Sequence, residues 1–207
     1  MTQLPITITL GDPAGIGPET IAKAFRDAPD ATQGCFVAGD VGTMRRASAL
    51  VSGPGQPALP VALITTPAEA WDVPPQCIPV LQITELLAPI PYGQISSLAG
   101  RVAADCVLWA SRAALRGELA ALVTAPLHKE ALAAAGLPYP GHTELLQFEA
   151  AAHMGKTLQE VPVRMMLAND ELRTVLVSIH LSLRQAIEAV TFDNVLQTLR
   201  ITHRAVG

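Results

Sequence analysis

Aromatic residues and basic charge are both scarce in this chain of 207 residues. Phe, Trp and Tyr make up 4% of the sequence, whereas hydrophobic residues as a whole make up 50%. That composition favours an Ala-, Leu- and Val-rich α/β protein over a β-sandwich. The formal net charge is -4 at pH 7, so the chain lacks the basic surface on which nucleic-acid binding depends. We therefore expect no nucleic-acid partner.

Cysteine pairs and long apolar runs are also missing. The three cysteines, Cys35, Cys77 and Cys106, are odd in number and have no CxxC spacing, which argues against a disulfide framework and a zinc knuckle. No apolar run reaches the roughly 18 residues that cross a bilayer, and the N-terminus has no basic segment typical of a signal peptide. These absences predict a cytoplasmic protein with no membrane partner.

Strand-like and helix-like patterns alternate along the chain. This order predicts an α/β fold with a largely parallel sheet and helices on both faces. The clearest helix is predicted at 98–116, where apolar residues recur at helical spacing. Its polar stripe, which we expect to be solvated, consists of Arg101, Asp105, Arg112 and Arg116. The predicted strands occupy residues 6–10, 35–39, 61–65, 78–83, 119–123, 163–167 and 173–179.

The most informative run is TAPLHKEALAAAGLPYPGHTELL, at 124–146, which follows a strand predicted to be buried. The carboxyl end of such a strand is where ligands collect in an alternating α/β chain. Lys129 stands near that end, and its ammonium group can neutralise a phosphate or carboxylate, although a surface lysine is the alternative. A rigid Gly- and Pro-containing turn then delivers His142 and Thr143 to the start of a helix predicted at 144–154. Because helix N-termini attract anions, the run predicts a site for a small anionic substrate.

Two alternatives stay open on spacing alone. Thr143 can cap the helix instead of binding a ligand. His180 is predicted to close the strand at 173–179 and to point into the same crevice as His142. Imidazole is the commonest protein ligand for a divalent metal in a mixed nitrogen and oxygen site, but a histidine without a nearby partner can equally be an ordinary polar residue.

GDPAGIGPE, at 11–19, lies between the first predicted strand and a helix that Pro18 can begin. Its glycines and the free N–H groups of the helix can hold a phosphate or carboxylate. The motif lacks the third glycine of a dinucleotide-binding loop and the lysine of a P-loop. A tight strand-to-helix turn that needs glycine at positive φ is the structural alternative. Asp12 and Glu19 receive no assigned role.

Three motifs together carry a resemblance to a known family. GDPAGIGPE, the run that ends in GHTELL, and MML with SIHLSL at 165–183 occur in the order typical of the 4-hydroxythreonine-4-phosphate dehydrogenase family of vitamin B6 synthesis. The resemblance implies the two-domain fold of isocitrate and isopropylmalate dehydrogenases, with a first domain at 1–125 and a second, dimer-forming domain at 126–207. It also implies a homodimer. Family members are substantially longer, so we expect this chain to be incomplete at its C-terminal end.

The same resemblance implies a reaction and roles for particular residues. NAD oxidises 4-phosphohydroxy-L-threonine with a divalent metal (Zn, Mg, Mn or Co) bound, and the resulting 3-keto acid loses carbon dioxide, a step in pyridoxal phosphate biosynthesis. By motif, His142 and Thr143 bind the substrate, and His180 is the first metal ligand; the suggested role of Lys129 rests on its position and charge alone. The catalytic residues and the NAD-binding residues stay unassigned.

The segment around His180 departs from the family pattern. Many members have Thr before that histidine and Pro two residues after it, where this chain has Ile179 and Ser182. The departure indicates a paralogous branch, so a dehydrogenase for another phosphorylated sugar acid or for a dihydrodiol is the second hypothesis. A truncated, non-catalytic remnant is the third.

Overall fold

The computed structural model describes residues 3–206, and the chain divides into two compact units, Met1–Lys156 and Thr157–Gly207. The strands of the first unit are β1 (Ile6–Thr9), β2 (Cys35–Gly39), β3 (Val61–Ile64), β4 (Ile78–Gln82) and β5 (Ala121–Thr124). Its α-helices are α1 (Gly17–Asp27), α2 (Val41–Val51), α3 (Ser97–Leu115), α4 (Lys129–Ala134) and α5 (His142–Met154), and a 3₁₀ helix spans Pro67–Trp71.

The strands of the first unit form one parallel sheet. Its five strands lie in the order β3-β4-β2-β1-β5, and every described pairing within it is parallel. Successive side chains of a strand point to opposite faces. Val37 of β2 therefore packs in the same cluster as Ile21 and Met44 of α1 and α2. Phe36 packs on the other face against Trp109 of α3, with the ring centroids 6.1 Å apart. This arrangement confirms the predicted α/β fold with a parallel sheet and helices on both faces.

The strand that precedes the predicted ligand site is not buried. β5 begins at Ala121, where it pairs with Ile6, rather than at the predicted residue 119. Within the described part of the chain β5 pairs only with β1, so it is an edge strand, and Val123 is 50% exposed. An apolar run alone does not distinguish a central strand from an edge strand, which explains why the prediction of a buried strand was wrong.

Helix α3 lies within one residue of its predicted bounds at each end. The Ser96 hydroxyl caps it by accepting a hydrogen bond of 3.0 Å from the Ala99 N–H. Arg112 of the predicted solvated stripe is 58% exposed, and it also forms an ion pair with the buried carboxylate of Glu149 on α5. One charged residue of the stripe therefore joins two helices.

The second unit contains a small hairpin and two helices. β6 (Met166–Ala168) and β7 (Arg173–Val175) pair antiparallel in a separate sheet, and α6 (Leu183–Ala189) and α7 (Phe192–Val206) follow. The last two predicted strands are thus shorter than expected and do not join the parallel sheet. The ladder pairs Met166 with Val175, and one further hydrogen bond of 3.0 Å runs from the Leu176 N–H to the Met165 carbonyl.

The first compact unit extends past the predicted domain boundary at residue 125. It reaches Lys156 because α4 and α5 pack on α3, with Leu132 and Leu145 fully buried in one cluster with Val107. The division at 125 and 126, as a property of the longer family members, stays a prediction.

The three cysteines are free and buried, in agreement with the expectation of no disulfide framework. None of the helices described here has the length and apolar character needed to cross a membrane.

Candidate functional site

The loop after β1 packs against the segment after β5. The Asp12 N–H donates a hydrogen bond of 2.9 Å to the Pro126 carbonyl. Gly11 has φ of 72°, and a Cβ added there would lie 2.5 Å from the same carbonyl oxygen. Only glycine permits both the left-handed backbone and this close approach. The glycine-rich motif therefore forms a tight turn, and that turn borders the predicted site.

These two segments meet at the switch point of the sheet, which is the place where the strand order reverses. From β1 the chain passes through α1 to β2 on one side, whereas the connection from β4 through α3 returns to β5 on the other side of β1. In open parallel sheets ligands bind in the crevice outside the carboxyl ends of the strands at such a switch point. Residues 11–17 and 125–128 follow the carboxyl ends of β1 and β5, so they border the crevice that this rule places there.

Asp12 is held within this turn. Its side chain is buried, and Oδ1 accepts a hydrogen bond of 2.8 Å from the Ala14 N–H. A carboxylate that accepts from the backbone of its own loop stabilises the turn. Asp12 therefore has a structural role, which is to stabilise the turn.

Helix α5 brings His142 to the segment after β5. The helix begins at His142, two residues earlier than predicted, with Gly141 as its N-cap and no side-chain cap. Burial lowers the pKa of His142 below the ordinary value, and the weaker, opposing effect of the Ala125 backbone does not offset it. The imidazole is therefore favoured in its neutral form.

The Nε2 atom of the His142 ring is buried and has no hydrogen-bond partner among the described residues. Buried polar atoms of native proteins nearly always have a partner, so this nitrogen is free to bond a ligand or a water. The first N–H groups of α5 lie next to it and have no intrahelical acceptor. A buried imidazole nitrogen and a helix N-terminus thus occur together beside the ends of β1 and β5.

Thr143 and Lys129 lie in the same part of the chain but are less constrained. Thr143 is half-buried in the first turn of α5, and Gly141, not Thr143, is the N-cap residue. Lys129 is the exposed first residue of α4, and His128 before it is its exposed N-cap. The substrate-binding roles of Thr143 and Lys129 stay predictions.

His180 belongs to the second compact unit and does not close a strand. β7 ends at Val175, and His180 is exposed, with a left-handed φ of 56°. Two residues later, the Ser182 hydroxyl and the Gln185 side chain form a capping box at the start of α6. Ser182, one of the departures from the family pattern, thus has a structural explanation. The prediction that His180 faces the same crevice as His142 stays a prediction.

The described residues do not by themselves form a metal site. Across residues 3–206 no group of three or more His, Cys, Asp or Glu side chains is placed to hold an ion. A catalytic zinc site takes three protein ligands. The assignment of His180 as one ligand stays a prediction, and the described residues do not complete its set.

Arg46 of α2 is the one cation that contacts the glycine-rich turn in the described structure, and the sequence does not indicate it. Its guanidinium Nη2 donates a hydrogen bond of 2.9 Å to the Pro13 carbonyl. In the sequence Arg46 is one of two adjacent arginines in an amphipathic helix, a pattern typical of solvated residues. Only a tertiary contact distinguishes it from Arg45.

The sequence and structure match known proteins along nearly the whole chain. A family model described as pyridoxal phosphate biosynthetic protein PdxA matches residues 31–207. The chain is 40% identical over 210 residues to a 4-hydroxythreonine-4-phosphate dehydrogenase of Beijerinckia indica. The alignment covers 100% of this chain and 58% of the relative. It is 39% identical over 207 residues to a D-threonate 4-phosphate dehydrogenase of Bordetella bronchiseptica, with 98% and 56% of the two chains covered.

A solved structure agrees with these relatives. The crystal structure of a 4-hydroxythreonine-4-phosphate dehydrogenase from Klebsiella pneumoniae superposes with a TM-score of 0.83 at 34% identity, over 98% of this chain and 59% of that one. The likeness confirms the fold class. The chain spans less than two thirds of the length of each of these relatives.

Proposed function

The chain belongs to the pyridoxal phosphate biosynthetic protein PdxA family, and from this premise we propose that it supplies the substrate-binding crevice of a 4-hydroxythreonine-4-phosphate dehydrogenase. The substrate is 4-phosphohydroxy-L-threonine. The overall reaction removes a hydride and a proton from its secondary alcohol, with NAD as the hydride acceptor, and the 3-keto acid then loses carbon dioxide.

The unpaired Nε2 of His142 is the observation that carries the proposal. Burial favours the neutral form of this imidazole, which carries one N–H donor and one acceptor nitrogen. The ring therefore exchanges a hydrogen bond with a substrate hydroxyl. The N-terminus of α5 attracts the negative charge of the phosphate or carboxylate, and the Thr143 hydroxyl is available for a further hydrogen bond.

The remaining parts of the activity belong to the whole protein. We propose NAD, a divalent metal with His180 among its ligands, a homodimer and a cytoplasmic location on the strength of family membership. Described residues near the crevice bind and orient the substrate in this proposal, with Lys129 as electrostatic support at its rim.

Nuclear magnetic resonance of the imidazole signals tests the proposal directly. We expect 4-phosphohydroxy-L-threonine to shift the His142 signal in a saturable manner. His142→Ala should abolish binding, whereas His153→Ala, a matched change at an exposed histidine in the last turn of α5, should preserve it. A His142 signal that stays fixed at saturating substrate would contradict the proposal.

A second substrate has a specific observation in its favour. The D-threonate 4-phosphate dehydrogenase of Bordetella bronchiseptica is 39% identical to this chain, against 40% for the Beijerinckia indica relative. The two substrates share the phosphate and the carboxylate and differ at carbon 2, which carries an ammonium group in one and a hydroxyl in the other. Parallel titrations with both compounds separate the two functions, because the true substrate should bind more tightly.

A further inference from the structure

Arg46 joins two segments at the edge of the crevice. Its Nη1 donates a hydrogen bond of 2.7 Å to the Ile90 carbonyl, and its Nη2 donates one of 2.9 Å to the Pro13 carbonyl. The guanidinium carbon lies 4.1 Å from the centre of the Tyr92 ring, within the range of a cation–π contact. One side chain thus connects α2, the glycine-rich turn and the segment after β4.

The two segments also bond to each other. The Gly93 N–H donates a hydrogen bond of 2.8 Å to the Ala14 carbonyl. Ala14 and Ile90 are both buried and pack in one small cluster. The guanidinium therefore bridges the same two segments that this backbone hydrogen bond joins.

No carboxylate of the described residues lies within ion-pair distance of Arg46. The ion pairs found in the described structure involve Arg26, Arg112 and Arg116, and the acceptors of Arg46 are carbonyl oxygens. Its Nε is buried and lacks a partner among the described residues. A cation paired only with neutral dipoles in a half-buried position retains much of its field, because the low local dielectric screens it weakly.

We propose that Arg46 is a positioning residue for substrate binding. It clamps residues 11–17 against residues 90–93, and its uncompensated positive charge favours the anionic group of the ligand beside that turn. This inference rests on the proposed function, since it assigns a task to the turn that borders the substrate crevice. Arginine suits the task better than lysine because its planar fork satisfies two carbonyls at once.

Hydrogen exchange of backbone amides tests the clamp without any ligand. The informative amides are those of Gly93 and Ala14, and the variants are Arg46→Met, Arg46→Lys and Arg45→Met. Arg45 is the exposed neighbour, so its variant removes the same charge from the same helix. We expect exchange at both amides to accelerate about tenfold in Arg46→Met, by less in Arg46→Lys, and not in Arg45→Met. Equal exchange in Arg46→Met and Arg45→Met would overturn the clamp.

Binding of inorganic phosphate, followed at the His142 signal, tests the charge. We expect Arg46→Met to weaken phosphate binding about tenfold at low salt and by less at high salt, whereas Arg45→Met has little effect. Phosphate affinity equal to wild type in Arg46→Met would overturn the electrostatic role.

The two proposals fail in different ways. If the His142 signal of the wild type shifts with neither phosphate nor substrate, the proposed function fails, and the exchange experiment still decides the clamp. If Arg46→Met does not fold, Arg46→Lys tests the clamp in its place, since that variant keeps the positive charge and loses the planar guanidinium.

Discussion

Arg112 and Glu149 form a bidentate ion pair, with Nε 2.7 Å from Oε2 and Nη2 3.0 Å from Oε1. The pair joins α3 to α5, the helix that begins at His142. The Glu149 side chain is 7% exposed and that of Arg112 is 58% exposed, so the carboxylate depends on this partner more than the guanidinium does. The pair therefore fixes α5 on the helix layer that supports the crevice.

Replacing Glu149 should destabilise the fold more than replacing a surface acid. We expect Glu149→Gln to lower the free energy of unfolding by about 2 kcal/mol, between the values typical of exposed and of buried pairs. The matched change Glu118→Gln breaks a pair whose side chains are 45% and 51% exposed, and it should leave stability nearly unchanged. Urea unfolding measures both. Equal losses in the two variants would show that the buried position of Glu149 has no effect.

His142 should make the stability of the chain depend on pH in mildly acidic solution. Burial lowers its pKa, so the folded chain binds the proton less readily than the unfolded chain does. Its contribution is therefore complete above the ordinary histidine pKa of about 6.5 and falls as the pH drops below that value. The difference in unfolding free energy between wild type and His142→Gln should shrink as the pH is lowered. Parallel stability curves for the two proteins would contradict this expectation.

A methyl group at Gly11 should disrupt the crevice. Gly11→Ala places a Cβ 2.5 Å from the Pro126 carbonyl oxygen in addition to the cost of its φ of 72°, and we expect a loss of about 3 kcal/mol. Gly117→Ala isolates the backbone cost, because φ there is 76° with no atom within 4 Å of the added Cβ. That control should lose about 1 kcal/mol. Thermal unfolding compares them, and similar losses would show that the turn relaxes around the methyl group.

The chain as it stands should bind divalent metal weakly and should not reduce NAD at a sustained rate. Described residues offer His180 without a complete ligand set. A single imidazole falls short of the three protein ligands of a catalytic site. Calorimetric titration with zinc and spectroscopic detection of NADH check both statements on protein of verified mass. Micromolar metal affinity that is lost in His180→Ala, together with turnover, would show that this chain forms a full site.

Most of the parallel sheet follows from local patterns. β2 has the predicted bounds, and β1, β3 and β4 each end one residue earlier than predicted, because short apolar runs between turn residues are a strong local signal. The motifs also predict that the loop at 11–19 can hold an anionic group. Which strand pairs with which is harder to predict, since the antiparallel pairing of β6 with β7 and the edge position of β5 depend on contacts between strands.

The sequence by itself determined the α/β class, the family, and the residues in the first turn of α5, because periodicity, glycine placement and motif order are local properties of the chain. Tertiary structure alone decided that Glu149 is buried against Arg112, that the His142 Nε2 has no partner among the described residues, and that Arg46 rather than Arg45 contacts the glycine-rich turn. These features arise where distant segments meet. A charged residue in a helical pattern has the same local signature whether it faces water or a carbonyl, and only the packing of the surrounding elements separates the two cases.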